Sequence, residues 1–114
     1  MATTTAADEV LQELAGVIWR LWQAADQAFV AGGPGGDLEL DWLAIDARHA
    51  ACEGAALLGE HRHLCDVEAS TARDPAHLVR EAEQILAAHS IEHWPAGTSS
   101  LIADICDLVR EHSL

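Results

Sequence analysis

The sequence predicts an all-α fold, an antiparallel bundle of about four helices, the first two long and the last two short. Three observations carry that prediction. Apolar residues recur at three- and four-residue steps in separate stretches. Strong turn signals divide those stretches, above all the run AGGPGG at 31–36. The apolar vocabulary is mostly alanine, leucine, valine and isoleucine, with four tryptophans, one phenylalanine and no tyrosine, which suits close-packed helices better than strands. At 114 residues and 50% hydrophobic content, one domain over residues 1–114 is expected.

Residues 1–5 are expected to be a disordered tail, with Thr4 or Thr5 capping the helix that follows and Asp8 and Glu9 facing the positive end of its dipole. Ala7, Leu11, Leu14, Ile18, Leu21, Ala25 and Phe29 keep the helical step, widened by Val10, Val17 and Trp22. A long amphipathic helix from about Ala6 to Val30 follows, with that stripe as its inner face. On the opposite side, Gly16, Trp19, Gln23 and Asp26 set a large indole among polar neighbours, beside a glycine that lets another chain approach. Tryptophan is over-represented at binding hot spots. These four residues are therefore the candidate interface, although a tryptophan lying flat on its own helix is the plainer reading.

A Gly/Pro loop is expected over 31–37, since AGGPGG neither follows a strand nor ends in the basic residue that a phosphate-cradling loop needs. Asp37 can cap the central helix, which starts between Leu38 and Asp41 and runs at least to Leu58. Leu43, Ala47, Ala50, Ala51, Gly54 and Leu58 make one stripe of it; Trp42, Ile45, His49, Cys52 and Ala56 make another on the opposite side. Two apolar faces predict a helix sandwiched between others. At Gly59 the helix either continues to Val67 or Glu68, at a cost of about 1 kcal/mol relative to alanine, or turns and restarts. The helical step of Leu57, His61, Leu64 and Cys65 favours continuation.

Asp74 followed by Pro75 is a good helix start, and Leu78, Val79, Ala82, Ile85, Leu86 and His89 form the inner face of a helix ending near Ala88 or His89. Pro95 disfavours helix at Trp94, which is expected to plug the end of the bundle. Thr98, Ser99 and Ser100 offer caps for a last helix with Leu101, Ile102, Ile105, Leu108 and Val109 inside. Arg110 and His112 suit the negative end of its dipole.

Nineteen acidic residues against six basic ones give a formal charge of −13. Such a surface repels phosphate backbones and anionic membranes, and it favours encounter with a basic partner or simply keeps the protein soluble. Direct nucleic-acid binding is not expected. Three cysteines at unequal spacing do not read as a disulfide framework. With no basic signal region at the start and no apolar run of the roughly 20 residues a bilayer requires, a cytoplasmic protein is expected. Arginine without lysine suits a GC-rich bacterial genome and carries no functional weight.

The most suggestive spacing for chemistry is His49-x2-Cys52 followed by His61-x-His63-x-Cys65, since imidazole and thiolate are the ligands zinc prefers. If the helix is unbroken, His49 and Cys52 point away from His61 and Cys65, so a single site needs a fold-back at Gly59. The alternative is that the cysteines are small buried hydrophobes and the histidines sit at helix edges. Seven histidines would also make the net charge pH-sensitive. A carboxylate and Mg2+ nucleotide hydrolase needs paired acids on helices, and Asp104-x-x-Asp107 alone has that step. No catalytic residue and no cofactor is assigned, and an enzyme is the less favoured class. The leading expectation is a small acidic helical protein that binds another protein, basic or a second copy of itself, as an inhibitor, accessory subunit or mimic of DNA charge. A zinc-binding helical protein is the alternative.

Overall fold

Alanine and glycine decide how closely the first two helices approach. The computed structural model describes residues 6–33, 35–59, 67 and 69–114. Its helices are α1 (Ala6–Gly32), α2 (Leu38–Leu58), α3 (Pro75–Ala87) and α4 (Thr98–Glu111), with a 3-10 turn at Ile91–His93. Leu43, Ala44, Ala47, Ala50, Ala51, Gly54 and Leu58 of α2 are all buried. A Cβ on Gly54 would fall 2.7 Å from Ile18 Cγ1 and 3.4 Å from Leu101 Cδ2, so the small-residue stripe lies between α1 and α4. Close approach on that side is what the absent side chains allow.

The helices form the expected antiparallel bundle. Going round it the order is α1, α2, α4, α3, each touching the next. Side-chain pairs report the sense of each contact. Arg20 meets Glu81 while Gln27 meets the Ala72 carbonyl, so α3 runs against α1. His112 meets Asp46 while Leu57 meets Gly97, so α4 runs against α2. Buried residues of all four helices make one apolar cluster, with Leu14, Leu21, Leu78, Leu101 and Ile105 among its largest members.

Trp94 closes one end of the bundle as expected: it is buried and its indole N–H donates to the Leu86 carbonyl at 3.0 Å. His89 packs edge-on against it and also bonds the Glu13 carboxylate, tying the end of α3 to α1. Asp37 and Asp74 cap α2 and α3 through the amides of Glu39 and Ala76. The α4 start differs from expectation. Gly97, at φ +95°, is its N-cap, and Thr98 is fully buried with its hydroxyl donating to Pro95 O at 2.7 Å.

Three further expectations need correcting. α1 reaches Gly32 rather than ending at Val30, because Ala31 favours helix and the Gly33 amide still finds Phe29 O at 3.1 Å. The turn is then so tight that a Cβ on Gly36 would fall 1.1 Å from Gly32 O, a position only glycine can take. α2 does not continue through Gly59. That residue adopts φ +52°, a conformation glycine reaches without penalty, and its amide closes on Ala55 O. Finally, α2 is not sandwiched. Its small-residue side takes both α1 and α4, and Trp42, Ile45, His49, Cys52 and Ala56 on the other side are all exposed.

Helix lengths explain one exposed apolar feature. α1 and α2 have 27 and 21 residues, α3 and α4 only 13 and 14. The α3 side reaches along α1 as far as Gln27, through Ala72, and α4 reaches along α2 as far as Asp46, through His112. Beyond those points the α1–α2 hairpin projects about two turns, or ~10 Å, with neither short helix to cover it. Phe29 stands there 71% exposed, although the helical step placed it on the inner face.

Candidate functional site

The projecting tip carries an apolar groove. Trp22, Ala25, Phe29 and Val30 line it from α1 and Ala44 and Ile45 from α2, around a space of about 990 Å³. Val30 is 78% exposed, Trp42 54% and Ile45 56%, and Leu38 at the start of α2 is exposed as well. Taking ~200 Å² for a large side chain, the bare fractions of Phe29, Val30 and Ile45, which all line the groove, amount to roughly 400 Å². The largest apolar patch on a typical monomer is about 300–600 Å² and is often functional. The rim is polar: Asp26 and Asp41 line the same groove, and the Arg48 guanidinium lies over the Trp22 ring at 5.9 Å.

The four residues expected to form an interface divide between surfaces. Trp19 is exposed on α1. Gly16 is covered by its neighbour, since Arg20 Nη1 donates to its carbonyl at 3.1 Å and a Cβ there would meet that guanidinium at 3.2 Å. Gln23 is occupied too, its amide bonding the Ser70 backbone in both directions at 3.2 and 3.1 Å. Ser70 in turn donates to Glu81, which pairs with Arg20. This polar lattice holds the segment before α3 against α1. Asp26 belongs to the tip groove.

A second, polar cleft lies between α2 and α4. Asp46, His49 and Glu53 follow one another at steps of three and four on α2; Asp104, Asp107 and Glu111 repeat that spacing on α4. Steps of three and four put each set on one face, and antiparallel packing brings the faces together around about 190 Å³. His49, Glu53 and Asp104 have ligand atoms within 4.8 Å of one another, as do Asp46, Glu111 and His112. Glu53 is held below its ordinary value by hydrogen bonding with Asp104, then Ser100, while the same Glu53 contact, burial and like charge push Asp104 up to about 6. Two carboxyls this close cannot both ionise freely, and the proton stays on Asp104. At the other end, His112 has a side chain only 8% exposed and meets Asp46 at 2.7 Å and Glu39 at 4.0 Å.

Of the residues singled out as zinc ligands, His49 falls in this cleft and Cys52 is exposed, not the buried hydrophobe of the alternative reading. His61, His63 and Cys65 lie outside the described residues. Asp104 and Asp107 both line the cleft, but Arg110 pairs with Asp107 at 2.5 Å. Among the described residues no helix is long and apolar enough to cross a membrane. No protein-family model, curated protein or solved structure matches this chain.

Sequence reasoning missed the tip as a surface, and it missed Glu53 and Asp104 as partners. The signals were present as the mismatch between long and short helices and as the repeated three-and-four spacing of titratable residues on α2 and α4. Neither becomes a site until the antiparallel register between helices is known.

Proposed function

We propose that this chain is a protein-binding module that takes a basic, amphipathic helical segment of another protein onto the bare tip of its α1–α2 hairpin. The apolar groove between Phe29 and Ile45 carries the reading. Its position between two helices matches the mode in which an amphipathic helix lays its apolar face into a groove, and roughly 400 Å² of bare side chain is about half of the ~800 Å² each partner buries in a standard interface. An inhibitor or an accessory subunit of a basic enzyme would both use such a face.

Charge favours a basic partner over a second copy. From Trp22 to Arg48 the tip carries Asp26, Asp37, Glu39, Asp41 and Asp46 against Arg48 alone. Two copies would set these acids against each other within a pair of chains each at −13, whereas a helix with lysine or arginine along its flanks meets an opposite field.

The test is calorimetric titration with a leucine–lysine amphipathic peptide of about five turns (roughly 18 residues), alongside a scrambled peptide of the same composition. The amphipathic peptide is expected to bind one to one and to lose at least about tenfold in affinity, or ~1.4 kcal/mol, in Phe29→Asp and in Ile45→Asp. Both positions are exposed, so the fold should survive. Equal binding of both peptides, or equal binding by the variants, would reduce the interaction to general charge attraction. A concentration-dependent dimer abolished by Ile45→Asp would make a second copy the occupant instead.

A further inference from the structure

We propose that His49, Glu53 and Asp104 form a divalent-cation site for a borderline ion of the Zn2+ class, on the α2–α4 face and independent of the hairpin tip. The donor set is one imidazole and two carboxylates drawn from two helices, and it is their register that brings them together. Their ligand atoms lie within 4.8 Å of one another. A tetrahedral ion with bonds near 2.0–2.1 Å holds its ligands about 3.4 Å apart, so the three ligand atoms need to close by only about 1 Å to share one ion.

The surroundings fit an ion. The cleft beside the triad holds about 190 Å³ and is lined by Asp46, His49, Asp104, Asp107 and Glu111 with no arginine among its lining residues. That leaves room for the waters that complete a coordination shell. The Glu53 and Asp104 carboxylates face each other across the two helices with His49 beside them, and a bound cation would offset their like charge. An imidazole selects against Mg2+ and Ca2+, which take oxygen ligands, and two carboxylates with no thiolate select against Cu+.

The neighbouring group of Asp46, Glu111 and His112 is not the site. The His112 ring is almost wholly enclosed and already meets Asp46 by a hydrogen bond, with Glu39 beside it, a contact that staples the end of α4 to α2. His49, by contrast, is exposed on α2 and acts on both Glu53 and Asp104 only through space.

The experiment is titration of metal-free protein with Zn2+, with Co2+ absorption to report the donor atoms. One Zn2+ per chain is expected, with affinity falling at least about tenfold in His49→Ala and in Asp104→Asn and unchanged in Cys52→Ser; Co2+ should give a visible band without thiolate charge transfer. Cys52 lies one turn from His49, so it is the competing donor. Loss of binding in Cys52→Ser, retention in both His49→Ala and Asp104→Asn, or no stoichiometric uptake would overturn the proposal. Unfolding curves for each variant without metal separate loss of ligand from loss of fold.

Discussion

Arg48 lies over the face of Trp22, its guanidinium carbon 5.9 Å from the ring centroid, and both residues line the groove at the hairpin tip. An exposed cation–π pair of this kind contributes about 0.5–1 kcal/mol. Among the described residues lining the groove, Arg48 is also the one base, on a rim that includes Asp26 and Asp41. Arg48→Gln is therefore expected to lower stability by at most ~1 kcal/mol and to tighten binding of a cationic amphipathic peptide, with a steeper salt dependence. Denaturant midpoints and titrations at two ionic strengths check both signs; weaker binding would show that Arg48 contacts the partner favourably.

Gly54 sets the α1–α2 spacing. Alanine gains about 1 kcal/mol of helix propensity over glycine, but its Cβ would lie 2.7 Å from Ile18 Cγ1, and overpacking a tight core costs about 1–3 kcal/mol. Gly54→Ala should lower stability by about 1 kcal/mol and Gly54→Val by more than ~2 kcal/mol. Urea unfolding measures it; stabilisation in either variant would mean the two helices separate easily.

Trp94 joins the loop after α3 to the last turn of that helix through its bond to Leu86 O. Trp94→Phe keeps an aromatic ring but leaves that carbonyl without its indole donor, at a cost of about 1–3 kcal/mol. The loss should appear in thermal unfolding with the helical circular dichroism of the folded state unchanged.

Asp104 makes stability depend on pH in an unusual direction. Its value in the folded chain is raised to about 6 from an ordinary 3.8, so the folded state holds more protons than the unfolded one across that window. The stability this group contributes is complete below the ordinary value and is lost as pH rises through about 6. Glu53, lowered, acts in the opposite sense and loses its contribution as pH falls. Asp104→Asn should consequently stabilise the metal-free protein near pH 7.5, and the gain should shrink near pH 5, where Asp104 is largely protonated. Denaturant midpoints at the two pH values decide it, and a gain independent of pH would exclude the shared proton.

Much of the fold was legible because it depends on periodicity within a segment. The α2 stripe of Leu43, Ala47, Ala50, Ala51, Gly54 and Leu58 is buried as its spacing predicts, and Asp74-Pro75 opens α3 as its cap chemistry predicts. What periodicity cannot carry is length matching between segments. Phe29 keeps the inner-face step of α1, yet it is bare because α3 and α4 stop short of it. The same limit applies to Glu53 and Asp104, which are 51 positions apart in the chain and meet only through the antiparallel register of α2 and α4. Gly59 failed for a local reason: the cost of glycine inside a helix and its freedom at positive φ both favour an ending, and the helical step of the residues beyond did not outweigh them.

Amide and indole chemical-shift mapping with the leucine–lysine peptide tests the docking surface most directly. Binding at the hairpin tip predicts that the largest shifts fall on Phe29, Val30, Trp42 and Ile45 and on the indole N–H groups of Trp22 and Trp42, while Trp19 and Trp94 stay fixed. Shifts centred on Trp19, or spread evenly over the acidic faces of α3 and α4, would contradict it.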